Sequence, residues 1–253
     1  MTRRAPFPIV AIGLALILLL AGVALSPSRA EAQARKKSKD ASAERAGAAQ
    51  SAGWYALRLT RGDMGVIVTH FWSQGRQMRA EAVLSGVPIQ QIVNGEWYYV
   101  IDTLRGKGIA IRRSEAALLV DRGDPSARPF GNEASDLLRR GAEVVRTEQV
   151  AGRAARVLRL TDEQGRHEAW VTDDDLALPI RIDSTDRNSG AQVVTDYVDW
   201  LSAFEAPPVF FEPDARVQLE RIEYQEYMDR ASRERLGPAP VLFGDLLHGR
   251  AER

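Results

Sequence analysis

Residues 165–182 read GRHEAWVTDDDLALPIRI, and this stretch decides how the rest of the chain is interpreted. Apolar and polar residues alternate up to Trp170, three aspartates follow, and Pro179 begins a second apolar run. Alternation with period two predicts β-strands, and the acidic residues between them predict a turn. The stretch is therefore predicted to be a β-hairpin, with Trp170 and Ile182 facing inward and the aspartates in water.

Similar alternating runs separated by turn residues recur from residue 54 to residue 200. Asn94-Gly95 is the strongest turn signal, because a type I′ turn needs positive φ at both central positions. The pattern predicts about ten strands in sequence-adjacent antiparallel order. Helical segments at 114–120, where Ser114 is the cap, and at 132–140 interrupt the strands, and another helix is expected at 222–236.

These elements predict a mainly β fold with helices. A sheet of this length tends to curl rather than stay flat, so we expect a strongly curved antiparallel sheet, an unclosed half-barrel. The helical insertion and the C-terminal helix would form a lid over its concave apolar face. A strand at 191–201 lacks strict alternation, which predicts a β-bulge there.

Composition excludes several classes of function. Lysine plus arginine and aspartate plus glutamate both total 34, so the chain offers no basic footprint for nucleic acid. It has no cysteine, which excludes disulfides, thiolate catalysis and cysteine-bound metals. No cofactor is expected.

The N-terminal region has the three parts of a secretory signal peptide. Arg3 and Arg4 precede an uncharged apolar run at 9–25, and a small-residue site predicts cleavage after Ala32. An uncleaved inner-membrane anchor is the alternative reading of the same run. Either reading places the remainder outside the cytoplasm, in the periplasm. The predicted organisation is a signal segment at 1–32, a disordered linker at 33–51, a half-barrel domain at 52–225, and a C-terminal helix and tail at 226–253.

Several loose motifs occur along the predicted sheet: Arg79-x-Glu81, an N-G-E-W-Y-Y run at 94–99, Trp170-Val171, L-P-I at 178–180 and F-F-E-P at 210–213. Together they resemble the periplasmic lipoprotein-carrier superfamily, the LolA/LolB-type fold, and in particular its outer-membrane lipoprotein-sorting-like members. The resemblance covers about residues 53–225. It implies an unclosed barrel with a helical lid over an apolar cavity that takes acyl chains.

In such carriers an arginine on an early strand helps to hold the lid shut, and Arg79 is the nearest match, with Arg76 as a substitute. A binding cavity needs mostly aromatic and aliphatic walls. The predicted wall residues are Trp72, Met78, Trp97, Tyr99, Ile101, Trp170, Ile182 and Trp200. These eight residues could equally fill an ordinary core.

Catalytic and metal-binding patterns are weak. His70, His167 and His248 are the three histidines, and neither H-E-x-x-H nor G-x-S-x-G occurs. His167 and Glu168 are neighbours on a strand and point to opposite faces. The aspartates at 173–175 are interpreted as a solvated turn whose side chains bond their own backbone.

The resulting hypothesis is an exported, non-enzymatic protein that holds a lipid or lipoprotein acyl chain. The alternatives are an envelope-stress sensor that binds a membrane-bound regulator and a structural envelope protein with a filled core. The apolar run at 241–247 would suit docking to such a regulator.

Overall fold

A computed structural model describes residues 53–63, 65–122, 128–150 and 152–249. The predicted signal segment and the whole of the predicted linker lie outside these ranges. Within the described residues no helix is long and apolar enough to cross a membrane.

The strands in chain order are β1 (Gly53–Gly62), β2 (Gly65–Gln74), β3 (Gln77–Leu84), β4 (Val87–Asn94), β5 (Trp97–Asp102), β6 (Lys107–Arg112), β7 (Glu143–Val150), β8 (Arg153–Thr161), β9 (Gly165–Thr172), β10 (Pro179–Asp186), β11 (Gln192–Phe204) and β12 (Gln218–Ile222). The helices are α1 (Glu115–Arg122), α2 (Glu133–Arg139), α3 (Tyr224–Ala231) and α4 (Gly244–His248). A 3-10 turn spans Pro208–Phe211.

All these strands belong to one twelve-stranded sheet in the order β12-β6-β5-β4-β3-β2-β1-β11-β10-β9-β8-β7. Among the described residues neither outer strand has a second partner, so the prediction of a mainly β, unclosed sheet with helices is confirmed. The expected neighbour order is wrong at two places. β1 pairs with β11 as well as with β2, and β12 adds to β6 in parallel rather than antiparallel.

The hairpin signal at Asn94-Gly95 marks a real turn, but the turn begins one residue later than predicted. Asn94 pairs with Trp97, so the loop consists of Gly95 and Glu96. Gly95 has φ 56° and Glu96 is not in the left-handed region. One positive φ at the first loop position is typical of a type II′ turn, not of type I′.

Different segments of the chain pack on the two faces of the sheet, as the contacts of the adjacent residues Phe71 and Trp72 on β2 show. The ring of Phe71 packs on Phe130, at a centroid distance of 5.2 Å, and on Phe243. The ring of Trp72 packs edge-on against Phe210, 5.6 Å away. We call the first surface the helix face, because the helical insertion and the C-terminal segment (residues 236–248) cover it. The second is the strap face, named for residues 207–217, the strap.

The helix face carries the main core. Ala56, Phe71, Met78, Val100 and Ile111 are fully buried there. Further along the sheet, α2 packs on β8 and β9 through a second cluster of Ala134, Leu137, Leu158, Leu160, Ala169 and Val171. Alternation along each strand therefore directs one set of apolar side chains to this face, as the sequence predicts.

The C-terminal part differs from its prediction. The expected helix at 222–236 is shorter, because Ile222 ends β12, Glu223 is extended and α3 stops at Ala231. The apolar run at 241–247 is not a free docking tail. Leu247 is fully buried within the main core.

Candidate functional site

A groove of about 1180 Å³ lies on the strap face, between β2–β5 and the strap. Its apolar lining comes from alternate residues of the strands and from the strap itself. These residues are Val68, Val83, Pro88, Ile101, Val209 and Val217. Val83 and Val209 are 59% and 65% exposed, so part of this apolar lining faces solvent. An exposed apolar surface rimmed by polar residues is typical of a binding site.

The strap forms because its sequence cannot continue a ladder. Pro207 is extended, Pro208 begins the 3-10 turn, and neither proline has an N–H to donate. Phe211 is fully buried beneath the strap, while Phe210 packs against Trp72. Aromatic burial therefore fixes the strap on the sheet and leaves space beside it.

Arg79 fastens the strap to the sheet. Its Nη1 donates to the carbonyl oxygen of Phe210 at 3.0 Å, and its guanidinium lies 4.5 Å from the centre of the Phe210 ring. Glu81 accepts a 2.9 Å hydrogen bond from Arg79 Nε and one of 3.2 Å from the Gln90 amide. The family resemblance implies an arginine that tethers a helical lid. The tethering contact seen here joins Arg79 to the strap, whereas Arg76 lies on the helix face beside the insertion.

The rim of the groove carries both signs of charge. Arg105 and Arg216 line it together with Glu212 and Asp214. Arg216 donates two hydrogen bonds to Asp214, and these hold the pKa of that carboxyl well below its usual range. Both arginines of the rim already pair with carboxylates, Arg105 with Asp102 and Arg216 with Asp214, so the apolar lining offers the larger gain to an acyl chain.

Histidine chemistry is limited in this groove. His70 lines it, with Nδ1 at 3.0 Å from the hydroxyl of Tyr55 and its ring stacked on Trp72. His167 is on β9 and shares a hydrogen bond with Ser184. Among the described residues no three acidic, histidine or cysteine side chains are grouped to hold a metal ion. That the protein is not an enzyme stays a prediction.

The acidic turn at 173–175 has the structure that the sequence predicts. Asp174 Oδ1 accepts hydrogen bonds from the backbone N–H groups of Leu176 and Ala177, each at 3.0 Å. An aspartate that bonds its own following backbone stabilises a turn.

The helix face beside β1 and β11 is filled by stacked aromatic rings. Trp200 stacks on Tyr197 and on Phe130, at 5.0 and 5.8 Å between centroids, and meets Trp54 edge-on. Its indole N–H donates to the carbonyl of Pro179 at 2.9 Å. Burial, with a contribution from the nearby Glu133, raises the pKa of Tyr197 well above 10.

The eight predicted wall residues do not share one surface. Met78, Ile182 and Trp200 lie on the helix face, and Ile101 lines the groove. Trp170 pairs with Arg181, and Ile182 pairs with Ala169, so Trp170 and Ile182 point to opposite faces of their hairpin. On the strap face lie Trp72, Trp97, Tyr99, Ile101 and Trp170.

The sequence reasoning missed the residues that hold the C-terminal segment. Buried Gln91 and Tyr98 bond to the segment's backbone. Arg113, whose side chain is 1% exposed, donates to the carbonyl of Leu246 and pairs with Asp121. Gln91 stands inside the apolar run V-P-I-Q-Q-I-V, and a polar residue at a core position of a strand is the signal that could have revealed it.

Comparison with known proteins gives likenesses of fold. No family model matches the sequence, and neither does any curated protein. Among solved structures, an uncharacterized conserved protein from Thermus thermophilus is 10% identical, with a TM-score of 0.48 over 73% of this chain and 99% of that chain.

Two further structures are similar at comparable levels. MucB in the Pseudomonas aeruginosa MucA/MucB complex is 14% identical, with a TM-score of 0.43 over 69% of this chain, and the match spans 60% of that chain. A putative outer membrane lipoprotein-sorting protein domain from Vibrio parahaemolyticus is 9% identical, with a TM-score of 0.32 over 70% of this chain and 97% of that chain.

Proposed function

We propose that this chain is an exported, non-enzymatic binding protein that holds an acyl chain of a lipid or lipoprotein in the groove on the strap face. The observation that carries the proposal is the size of this groove together with its partly exposed apolar lining. Its volume is large enough for a ligand of lipid size. Transfer of such a ligand requires no bond to be made or broken.

Apolar burial would supply the free energy of binding. Each methylene that leaves water for the groove contributes about 0.8 kcal/mol. The polar groups beneath the groove oppose this gain less than free charges would, because Arg79 and Gln90 both bond to Glu81. An acyl chain can therefore lie over them without leaving a charge unpaired.

The strap is the element that would admit the ligand. It is joined to the sheet by the Arg79–Phe210 contact and by the packing of Phe210 on Trp72, and its Phe211 is fully buried. Loss of the Arg79 contact would loosen the strap and not the helical insertion. The lid of this protein is thus proposed to be the strap.

Native mass spectrometry of protein purified from its own compartment tests the proposal. We expect a bound species with the mass of a fatty acid, phospholipid or acylated peptide, which is lost on delipidation and regained on addition of palmitate. Protein that is isolated empty and does not take up palmitate would refute it. Cell fractionation of the same strain tests the predicted export.

A second candidate function is recognition of a membrane-bound regulatory protein. The observation in its favour is the outer edge of β7, which pairs with no other described strand and where Val144 and Val145 are 53% and 39% exposed. An exposed edge strand can accept a strand from a partner. Crosslinking from p-benzoylphenylalanine at position 145 in membranes would capture one protein if this function holds, and no protein if it does not.

A further inference from the structure

A second cleft, of about 580 Å³, lies on the helix face between the helical insertion and the C-terminal segment. Three arginines line it: Arg58 on β1, Arg76 in the β2–β3 turn and Arg128 before α2. Arg58 Nε, Arg76 Nε and Nη2, and Arg128 Nη1 are buried and have no hydrogen-bond partner among the described residues. Buried donors without an acceptor are costly and rare, so this grouping requires an explanation.

Aromatic rings hold two of these guanidinium groups in place. The guanidinium of Arg128 lies 5.0 Å from the ring centre of Trp54 and 5.3 Å from that of Trp200. The guanidinium of Arg58 lies 4.6 Å from the ring centre of Phe71. Stacking on a ring uses the face of a guanidinium and leaves the N–H groups on its edge available. The donors are therefore positioned before any ligand arrives.

Among the described residues, the carboxylates around the cleft offset the charge of these arginines only in part, and Glu133 is the one that acts most on Arg128. Asp121 and Asp136 pair with other arginines outside the set. Glu133 accepts the hydroxyl of Tyr197 at 2.7 Å through one oxygen, and its second oxygen is buried without a partner among the described residues. Asp245 is exposed at the mouth. The three arginines thus leave an excess of positive charge.

We propose that this cleft binds a phosphate group, free or as the headgroup of a lipid, through Arg58, Arg76 and Arg128. Three guanidinium groups carry three positive charges, which is more than one carboxylate balances. A phosphate offers three or more acceptor oxygens and up to two charges. The cleft is on the opposite face of the sheet from the acyl-chain groove, so the result of a binding experiment at one site does not decide the proposal for the other.

Binding is tested by isothermal titration of the full chain with inorganic phosphate, against sodium chloride at equal ionic strength. A second arm uses dihexanoyl phosphatidic acid below its micelle concentration, with dihexanoylglycerol as the phosphate-free match. Saturable binding of phosphate identifies a free anion site, and binding of phosphatidic acid alone identifies a headgroup site. No saturable binding in either arm, or equal affinity for dihexanoylglycerol, would overturn the proposal.

Single substitutions test whether the cleft arginines form the binding site. We expect Arg76→Gln to weaken binding at least tenfold, and Arg166→Gln, whose side chain is 56% exposed outside both cavities, to leave it within twofold. Equal affinity in the two variants would overturn the assignment. Should Arg76→Gln fail to fold, the arginine Nε–H and indole N–H resonances of the unmodified protein provide the test. Phosphate must then shift those of Arg58 and Trp54, and unchanged resonances would count against the site.

Discussion

Gln91 and Pro240 are 149 residues apart in the sequence, and the side-chain amide of Gln91 donates to the carbonyl oxygen of Pro240 at 2.8 Å. The same side chain accepts the backbone N–H of Leu242 at 3.0 Å and the hydroxyl of Tyr98. One fully buried side chain on β4 therefore satisfies the backbone of a segment that would otherwise lie unpaired on an apolar surface.

Replacement of Gln91 by leucine should destabilise the protein by about 3 kcal/mol. The variant keeps the volume but leaves the buried hydroxyl of Tyr98 and the half-buried N–H of Leu242 without an acceptor, each at a cost of about 1–3 kcal/mol, whereas the carbonyl of the exposed Pro240 can bond to water. Urea unfolding measures the change. Gln192→Leu, at an exposed position on β11, is the control and should shift the free energy of unfolding by less than about 0.5 kcal/mol. Equal effects would show that Gln91 is not an anchor.

Arg113 and Arg112 are neighbours with opposite environments, so they form a matched pair. Arg113→Met removes a side chain that is 1% exposed, leaves the carboxylate of Asp121 without its partner, and should cost about 3–5 kcal/mol. Arg112→Met removes contacts of a side chain that is 46% exposed, and such surface pairs contribute about 1 kcal/mol or less. Urea unfolding of both variants measures the two losses, and a larger loss for Arg112→Met would contradict this assignment.

Alanine substitutions at Gly131 and Gly190 distinguish the cost of a steric clash from the cost of backbone strain. The φ angles of the two glycines are 71° and 70°, but a Cβ on Gly131 would lie 2.4 Å from Trp200 Cη2, while one on Gly190 would meet nothing within 4 Å. Gly190→Ala should cost about 1–2 kcal/mol, the penalty of the left-handed region alone. Gly131→Ala should cost more and should change the near-ultraviolet circular dichroism of Trp200. Equal losses with unchanged spectra would contradict the close packing of that ring.

The acyl-chain proposal predicts the effect of a charge in the groove. Val83→Asp should weaken binding of a fluorescent fatty acid at least tenfold, because the ligand would bury an unpaired carboxylate. Val83 is 59% exposed, so stability should change little. Val198→Asp, 52% exposed on β11 and outside the groove, is the control. Equal affinities in the two variants would place the ligand elsewhere.

His248 predicts an acid-sensitive contribution to stability. Burial lowers the pKa of His248 below its ordinary value of 6.5, and Asp245 opposes this in part. The unfolded chain therefore takes up the proton first, and the free energy of unfolding falls as pH drops from 7 through 6.5 toward the folded pKa. His248→Gln should flatten this slope in urea titrations between pH 7 and pH 5.5. At pH 8 the two proteins should differ only by the contacts of the neutral ring, which are the packing of Tyr224 and Tyr227 on it and its 3.0 Å hydrogen bond with the Tyr224 hydroxyl.

The strands could be predicted from the sequence because alternation is a local signal. The pairing of β1 with β11 could not be predicted, since those strands are about 140 residues apart and the sequence of β1 does not indicate which strand pairs with its other edge. The bulge expected in 191–201 is present, as the register between β1 and β11 shifts at Val198.

The site was harder to predict for a different physical reason. The strap and the C-terminal segment are short apolar runs without a period, and such runs do not show which face they cover. The register shift between Pro179 and Arg181 separates Trp170 from Ile182, although both follow the alternation of their own strands. The sequence shows which residues of one strand share a face, but it does not show which residues share a face across a hairpin with a register shift.

The position of β1 between β2 and β11 also bears on how the chain is made. Residues 53–112 can form β1 to β6 as soon as they are synthesised, but the outer edge of β1 has no partner until residues 192–204 have followed. During that interval Trp54 and Ala56 border an open row of backbone donors and acceptors that could pair with another nascent chain. A binding chaperone, or export before folding, would keep that edge from pairing wrongly, and slow translation of residues 113–191 would make the protein more prone to aggregate.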